Sequence, residues 1–373
     1  MSLDLQPNFL LLDINTLDIE NLRKLDRIHP YPAKFTIDLA LEYIDKYTNK
    51  NSLILDPFCG SGTTLLASKV YNREAVGFDI NFIAILISQF KLLDLNKKEL
   101  DYLKNFNPKY SIVKPYYYEN INHWFKPECI DALSSIKEQI IIYSQNNKKY
   151  ILFLNLIFSS IINIASNQDS DTRYASVEKP YLNKKYIFDK FNEKLQNAIN
   201  IYRNINIKSN KNLKVFLYNS KKLTHKMKRD SVSLILTSPP YPNTYDYYLY
   251  HKHRMCWLNY DFKFSMENEI GSRREYSSLK LPKEKFNNDL LEIFTQSNYI
   301  LKNGGFIVLI MGDGKIAGEI YNAKDELLPI CESLRWKLID YSFSELDKTS
   351  RSFVQSYRTK NKKEHIMVFQ KEC

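Results

Sequence analysis

The sequence predicts an α/β fold with a mainly parallel sheet and a largely helical insertion, and three observations predict it. Residues 52–81, SLILDPFCGSGTTLLASKVYNREAVGFDIN, read as strand, tight loop, helix and second strand. A second apolar run ends in TSPPY at 237–241, and two further strand patterns close the chain at WKLIDYSF (336–343) and EHIMVFQK (364–371). Between about 96 and 211 this rhythm gives way to helical periodicity, as in DALSSIKEQIIIY and YIFDKFNEKLQNAINIY. The fold therefore divides into 1–95 and 212–373, with 96–211 inserted.

The first unit is the most informative. SLIL is a buried parallel strand, DPFCGSG the loop at its carboxyl end, TTLLASKVY the helix, and EAVGFDI a strand ending at Asp79. The chain has only nine glycines, where an average chain this long has roughly 26. Gly60 and Gly62 in one loop therefore mark a place where backbone turns sharply or meets a ligand. Ligands bind at such strand ends, and an acid at the end of the second strand suits ribose hydroxyls. GSGTT lacks the third glycine of a dinucleotide loop, which favours S-adenosylmethionine, a nucleoside cofactor with no pyrophosphate to cradle.

Charge and cysteine usage limit the partners. The chain of 373 residues has 44% hydrophobic and 25% charged residues, with net charge +11 and pI near 9.1. That balance favours an anionic partner, nucleic acid foremost. Five scattered cysteines without a CxxC fit reduced thiols and a cytoplasmic location. The acidic start, MSLDLQPNFLLLDINTLDIE, has no basic n-region and reads as no signal peptide. YILFLNLIFSSIINIA (150–165), broken by Asn155, Ser159, Ser160 and Asn163, reads as a buried helix with no membrane partner.

LDPFCGSGTT followed by VGFDIN resembles motifs I and II of the amino-group DNA methyltransferases, and TSPPY resembles their motif IV in its cytosine-N4 form. IHPYPAKF (28–35) is similar to motif X, VFLYNSKKL (215–223) stands at motif III, and LKNGGFIVLIMGDGK (301–315) resembles the region after motif IV. The resemblance implies a Rossmann-like methyltransferase fold in which 96–211 holds the target-recognition region. It implies S-adenosylmethionine held by Lys34, Phe35, Asp56, Phe58, Gly60, Gly62, Thr63, Asp79 and Asn219. Many relatives carry an acid at the motif III position, where this chain has Asn219, an uncharged acceptor.

The same resemblance implies methylation of the N4 amine of a flipped cytosine in double-stranded DNA, with a cognate restriction endonuclease as a second partner. Adenine N6 and RNA amines are the neighbouring substrates, and a non-catalytic DNA-binding subunit is the rival. The catalytic set is then Ser238, Pro239, Pro240 and Tyr241. Ser238 and the Pro239 carbonyl offer acceptors to the amine N–H groups, the prolines stiffen the loop, and Tyr241 stacks on a base taken out of the duplex. Tyr245, Tyr247, Tyr248 and Tyr250 are expected in the core. His251 and His253, at i,i+2, face different sides of a helix and form no metal site; with Lys252 and Arg254 they are expected to be solvated or to face phosphate. Arg173, in NQDSDTRYASVEKPY (167–181), and Arg273 and Arg274, in EIGSRREYSSLKLPKEK (269–285), are the expected DNA contacts. Methylation at ring carbon is disfavoured, since no Pro-Cys pair occurs.

Overall fold

The computed structural model describes residues 18–205, 207–209, 211–345 and 362–373. The reading of the first twenty residues therefore falls almost wholly outside the described residues. Helices α1 (Ile19–Asp26) and α2 (Ile37–Tyr47) lead into β1 (Leu53–Asp56), α3 (Thr63–Val70), β2 (Glu74–Asp79) and α4 (Phe82–Leu92). A helical stretch follows: α5 (Lys97–Lys104), α6 (Ile121–Trp124), α7 (Pro127–Ser144) and α8 (Lys148–Ala165). The hairpin β3 (Gln168–Ser170) and β4 (Arg173–Ser176) and then α9 (Lys184–Asn204) complete it. The chain returns through β5 (Leu213–Leu217), β6 (Val232–Thr237), α10 (Tyr247–Trp257), α11 (Lys263–Asn268) and α12 (Lys283–Ile300). It closes with β7 (Leu301–Gly312), β8 (Gly314–Ile316), β9 (Glu319–Tyr321), α13 (Ala323–Ser333), β10 (Trp336–Glu345) and β11 (Lys363–Lys371).

The seven-stranded sheet runs β10-β11-β7-β6-β1-β2-β5. All its strands are parallel except β11, which lies antiparallel between β7 and β10. β1 is the switch point: β2 flanks it on one side and β6 on the other, so loops leaving β1 and β6 diverge and open a crevice. The strands expected from TSPPY and from the C-terminal patterns are β6, β10 and β11.

Two apolar cores cover the sheet. One holds α12 and α13 against Leu55, Phe78, Ile235, Leu309 and Phe369. On the other face α1 to α4 share a single core with helices of the 97–204 stretch, including Leu133, Phe153 and Phe191. α8 is long and apolar enough to cross a membrane by composition alone, yet Phe153, Leu154, Phe158 and Ile162 are fully buried among neighbouring helices. Its apolar length serves this core.

A buried ionic knot ties the segment before β1 to the sheet helices. The Asp26 carboxylate accepts from Lys34 Nζ at 2.7 Å, Lys91 Nζ at 2.7 Å and Thr63 Oγ1 at 2.9 Å. Burial alone would push this carboxyl up, but Lys91 and Lys34 hold it down at about 2. Burial lowers Lys91 to about 8 against the pull of Asp26. Asp26→Ala leaves Lys91 unpaired and is expected to cost about 3 kcal/mol in denaturant unfolding at pH 7, the low end for a broken buried pair because Lys91 can shed its proton.

Candidate active site

The carboxyl ends of β1, β2, β5 and β6 surround one cleft of about 890 Å³, continuous with solvent. Its floor is the glycine loop. After Asp56 the chain turns through Pro57–Ser61, with Gly60 and Gly62 at φ 47° and 78°. Gly62 opens α3 in a left-handed conformation, and a Cβ there would lie 2.5 Å from Ser88 Oγ on α4. This glycine lets helix and loop approach α4, a packing constraint behind the cleft wall.

Asp79 lines the cleft, its two oxygens fixed by Asn81 N at 2.8 Å and Gly60 N at 2.9 Å. Burial pushes its carboxyl up to about 6, against those amide hydrogen bonds. Ser238 and Pro240, from the loop after β6, line the same cleft, as do Lys34, Phe35, Phe58, Gly60, Thr63 and Asn219. Sequence positions more than two hundred residues apart thus meet across one space.

Four residues of the expected catalytic and cofactor sets do not reach that wall. Asp56 is buried and accepts from Thr237 Oγ1 at 2.6 Å and Phe58 N at 3.2 Å, so it braces β1 against β6. Burial raises its carboxyl to about 6. Gly62 packs against Ser88, and Pro239 is buried. Tyr241 is only 6% exposed, and its hydroxyl donates to Glu364 Oε1 at 2.6 Å. Its ring lies where a Cβ on Gly312 would come within 2.6 Å. The ring expected to stack on a base lies against Gly312 of β7 and is tied to Glu364 of β11.

The aromatic wall comes from tyrosines expected in the core. Tyr247 and Tyr248, at the start of α10, line the cleft with Tyr31. Tyr31 stacks on Tyr247 at 5.8 Å and on His251 at 5.2 Å between centroids. Tyr245, Tyr248 and Tyr250 are buried as expected, so Tyr247 is the one that departs from that reading. His251, His253 and Arg254 are buried too, which corrects their reading as a solvated or phosphate-facing cluster. The helix runs beneath the β3–β4 hairpin, where Arg254 pairs with Asp171 and His253 packs against Trp124 and Tyr174.

Asn219 uses Oδ1 to cap Lys221 N at 2.9 Å and donates Nδ2 to Asn268 Oδ1 at 2.7 Å. Asn268 and Glu269 belong to a wall that sequence reasoning missed. Glu269 accepts from the amides of Tyr247 at 2.6 Å and Tyr248 at 3.3 Å, and so holds the start of α10. Its stretch had drawn notice only for Arg273 and Arg274. Those arginines and Arg173 lie away from the cleft lining, Arg173 on the exposed hairpin 3.7 Å from Asp169.

The donor set fits S-adenosylmethionine: a carboxylate at the end of β2, a glycine loop whose Gly60 abuts the Tyr31 ring, and aromatic and amide walls. This is a nucleoside-cofactor cleft at the strand ends of an α/β sheet. Residues 12–90 match the N6_N4_Mtase family, described as DNA methylase.

The chain is 25% identical over 290 residues to the Type II methyltransferase M.MvaI of Kocuria varians, the match covering 70% of this chain and 62% of that protein. It is 32% identical over 98 residues to the Type II methyltransferase M.MjaII of Methanocaldococcus jannaschii, covering 23% and 18%. The chain thus spans less than two thirds of either relative. A solved SAM-dependent methyltransferase from Methanosarcina mazei aligns with TM-score 0.36 and 12% identity over 92% of this chain and 99% of that one.

Tyr241→Phe removes the hydrogen bond to Glu364 and is expected to lower stability by about 1 kcal/mol in denaturant unfolding. Cofactor affinity measured by calorimetry should stay within about twofold, because the ring lies behind the wall.

Proposed function

We propose that the protein transfers a methyl group to an exocyclic amine of a base in double-stranded DNA, and that the amine is N4 of cytosine. The observation that carries this reading is the shared cleft, which brings Asp79 and the glycine loop to Ser238 and Pro240. The DNA methylase match and the two Type II methyltransferase relatives support the DNA substrate. They also support a place in a restriction–modification pair with an endonuclease. Serine at position 238 supports cytosine over adenine.

Bound S-adenosylmethionine supplies a methyl group on a sulfonium. The chain's own residues prepare the acceptor. An exocyclic amine is a weak nucleophile while its lone pair is delocalised into the ring. The Ser238 hydroxyl and the neighbouring loop carbonyl accept from its N–H groups, which favours a pyramidal nitrogen and stabilises its growing positive charge. Pro239 and Pro240 keep those acceptors in place. Tyr247, in place of Tyr241, supplies a ring face for a base taken out of the duplex. Asp79 accepts from ribose hydroxyls, a role that needs its ionised form. Arg173, Arg273 and Arg274 contact the duplex, and residues 96–211 carry target recognition.

Mixed-sequence DNA incubated with protein and cofactor, then digested and read by mass spectrometry, should contain N4-methylcytosine. N6-methyladenine would overturn the base assignment, and no modified base at all would overturn the reaction. Ser238→Ala should lower turnover about a hundredfold while leaving cofactor affinity within about twofold.

Asp79 gives a pH signature. Its proton is lost as pH rises through about 6, so cofactor affinity should rise about tenfold per unit up to that point and level off above it. Asp79→Asn should flatten the profile in calorimetric titrations from pH 5 to 8. An unchanged profile in the variant would remove Asp79 from the ribose role.

A further inference from the structure

We propose that Glu269 is the cation-recognition residue of the cleft, distinguishing the sulfonium cofactor from the neutral thioether that remains after transfer. The inference rests on the cofactor reading above and deepens it.

The charged lining is lopsided. Among the described residues the cleft wall carries two acids, Asp79 and Glu269, and one base, Lys34. Lys34 is committed elsewhere, since its Nζ bonds the Asp26 carboxylate at 2.7 Å. In their ionised forms these acids give the wall net negative charge toward a cation that enters. Both acids act on the Tyr31 hydroxyl, which burial and these carboxylates raise well above its ordinary range. Asp79, Glu269 and Tyr31 line the same cleft.

The two carboxylates are held with different strength. Each Asp79 oxygen is fixed by a short backbone amide bond. Glu269 has one short bond, from Tyr247 N at 2.6 Å, and one long one, from Tyr248 N at 3.3 Å. A carboxylate has about four lone-pair sites, so half of its acceptor capacity remains for the cleft.

The charged groups that act on the Glu269 carboxyl are acidic. Its charged neighbours, Asp246 before α10 and Glu275, are acids, while Arg273 and Arg274 act on Asp246. Burial first, and then these acids, lift the Glu269 carboxyl well above the usual range against the two amides. A cation in the cleft reverses that balance. Binding a sulfonium pulls the proton off Glu269, and methyl transfer, which removes the charge on sulfur, releases that hold. The residue favours cofactor entry and product exit by the same physics. The α-ammonium and carboxylate of the methionine end are common to cofactor and product, so the difference between them reports the sulfur charge and its methyl group.

Calorimetry with three ligands tests the proposal: S-adenosylmethionine, an analogue with an ammonium in place of the sulfonium, and S-adenosylhomocysteine. Glu269→Gln should weaken the two cationic ligands about tenfold and the thioether less than twofold. An equal loss for all three, or no loss, would mean that Glu269 only caps α10 and would overturn the proposal. The wild-type protein gives a second readout that needs no variant. In buffers of different ionisation enthalpy, the cationic ligands should release a larger fraction of a proton at pH 7 than the thioether, which releases only the part that Asp79 contributes. Equal release by all three overturns the proposal. Wild-type protein that binds none of them overturns the cofactor reading itself, and this proposal with it.

Discussion

The site exists because β1 and β6 lie side by side in parallel with their ends level. Ile54 pairs with Leu234 and Leu55 with Ile235, so the next residues, Asp56 and Leu236, reach the sheet edge together. The bond from Thr237 Oγ1 to the Asp56 carboxylate fixes that alignment at the point where both strands become loops. A slip of one residue would turn every side chain on β6 to the opposite face. It would also carry Ser238 away from the glycine loop. Asp56 thus acts through geometry, bracing the two strand ends that the chemistry must bring together.

Around this joint the walls are added by elements that bury their own charges. The Asp26 knot fastens the segment that carries Tyr31 and Lys34 onto α3 and α4. On the opposite side, α10 is pinned at its start by Glu269 and at its middle by the Arg254–Asp171 pair. The β3–β4 hairpin is therefore physically continuous with a helix that lines the cleft. Residues of the 96–211 stretch share one core with the helices next to the glycine loop, so contacts made there are made on the same rigid body.

Much of this was legible in the chain. The strand–loop–helix–strand unit at 52–81, the strand ending at TSPPY and the closing strand pair are local patterns, set by hydrophobic period and by glycine and proline. The resemblance added the order of the segments. The sorting of the tyrosines was not legible. Tyr241, Tyr247 and Tyr248 fall within eight residues and share one chemistry, so nothing nearby separates a wall residue from a buried one. Gly312, which leaves room for the Tyr241 ring, and Glu364, which takes its hydroxyl, lie far along the chain. Glu269 gave no signal either, as a single acid in a polar stretch.

The sequence by itself determined the architecture, the position of the glycine loop and Asp79, and the strand that ends in Ser238, because periodicity and backbone restriction act over a few residues. Only the tertiary structure decided which polar groups face the cleft and which brace it. Asp56 and Asp79 are both acids at the ends of adjacent strands, yet one turns to Thr237 behind the wall and the other lines the cleft. The reason is physical. A buried carboxylate must find hydrogen-bond partners, and those partners are set by which strands the whole fold makes neighbours.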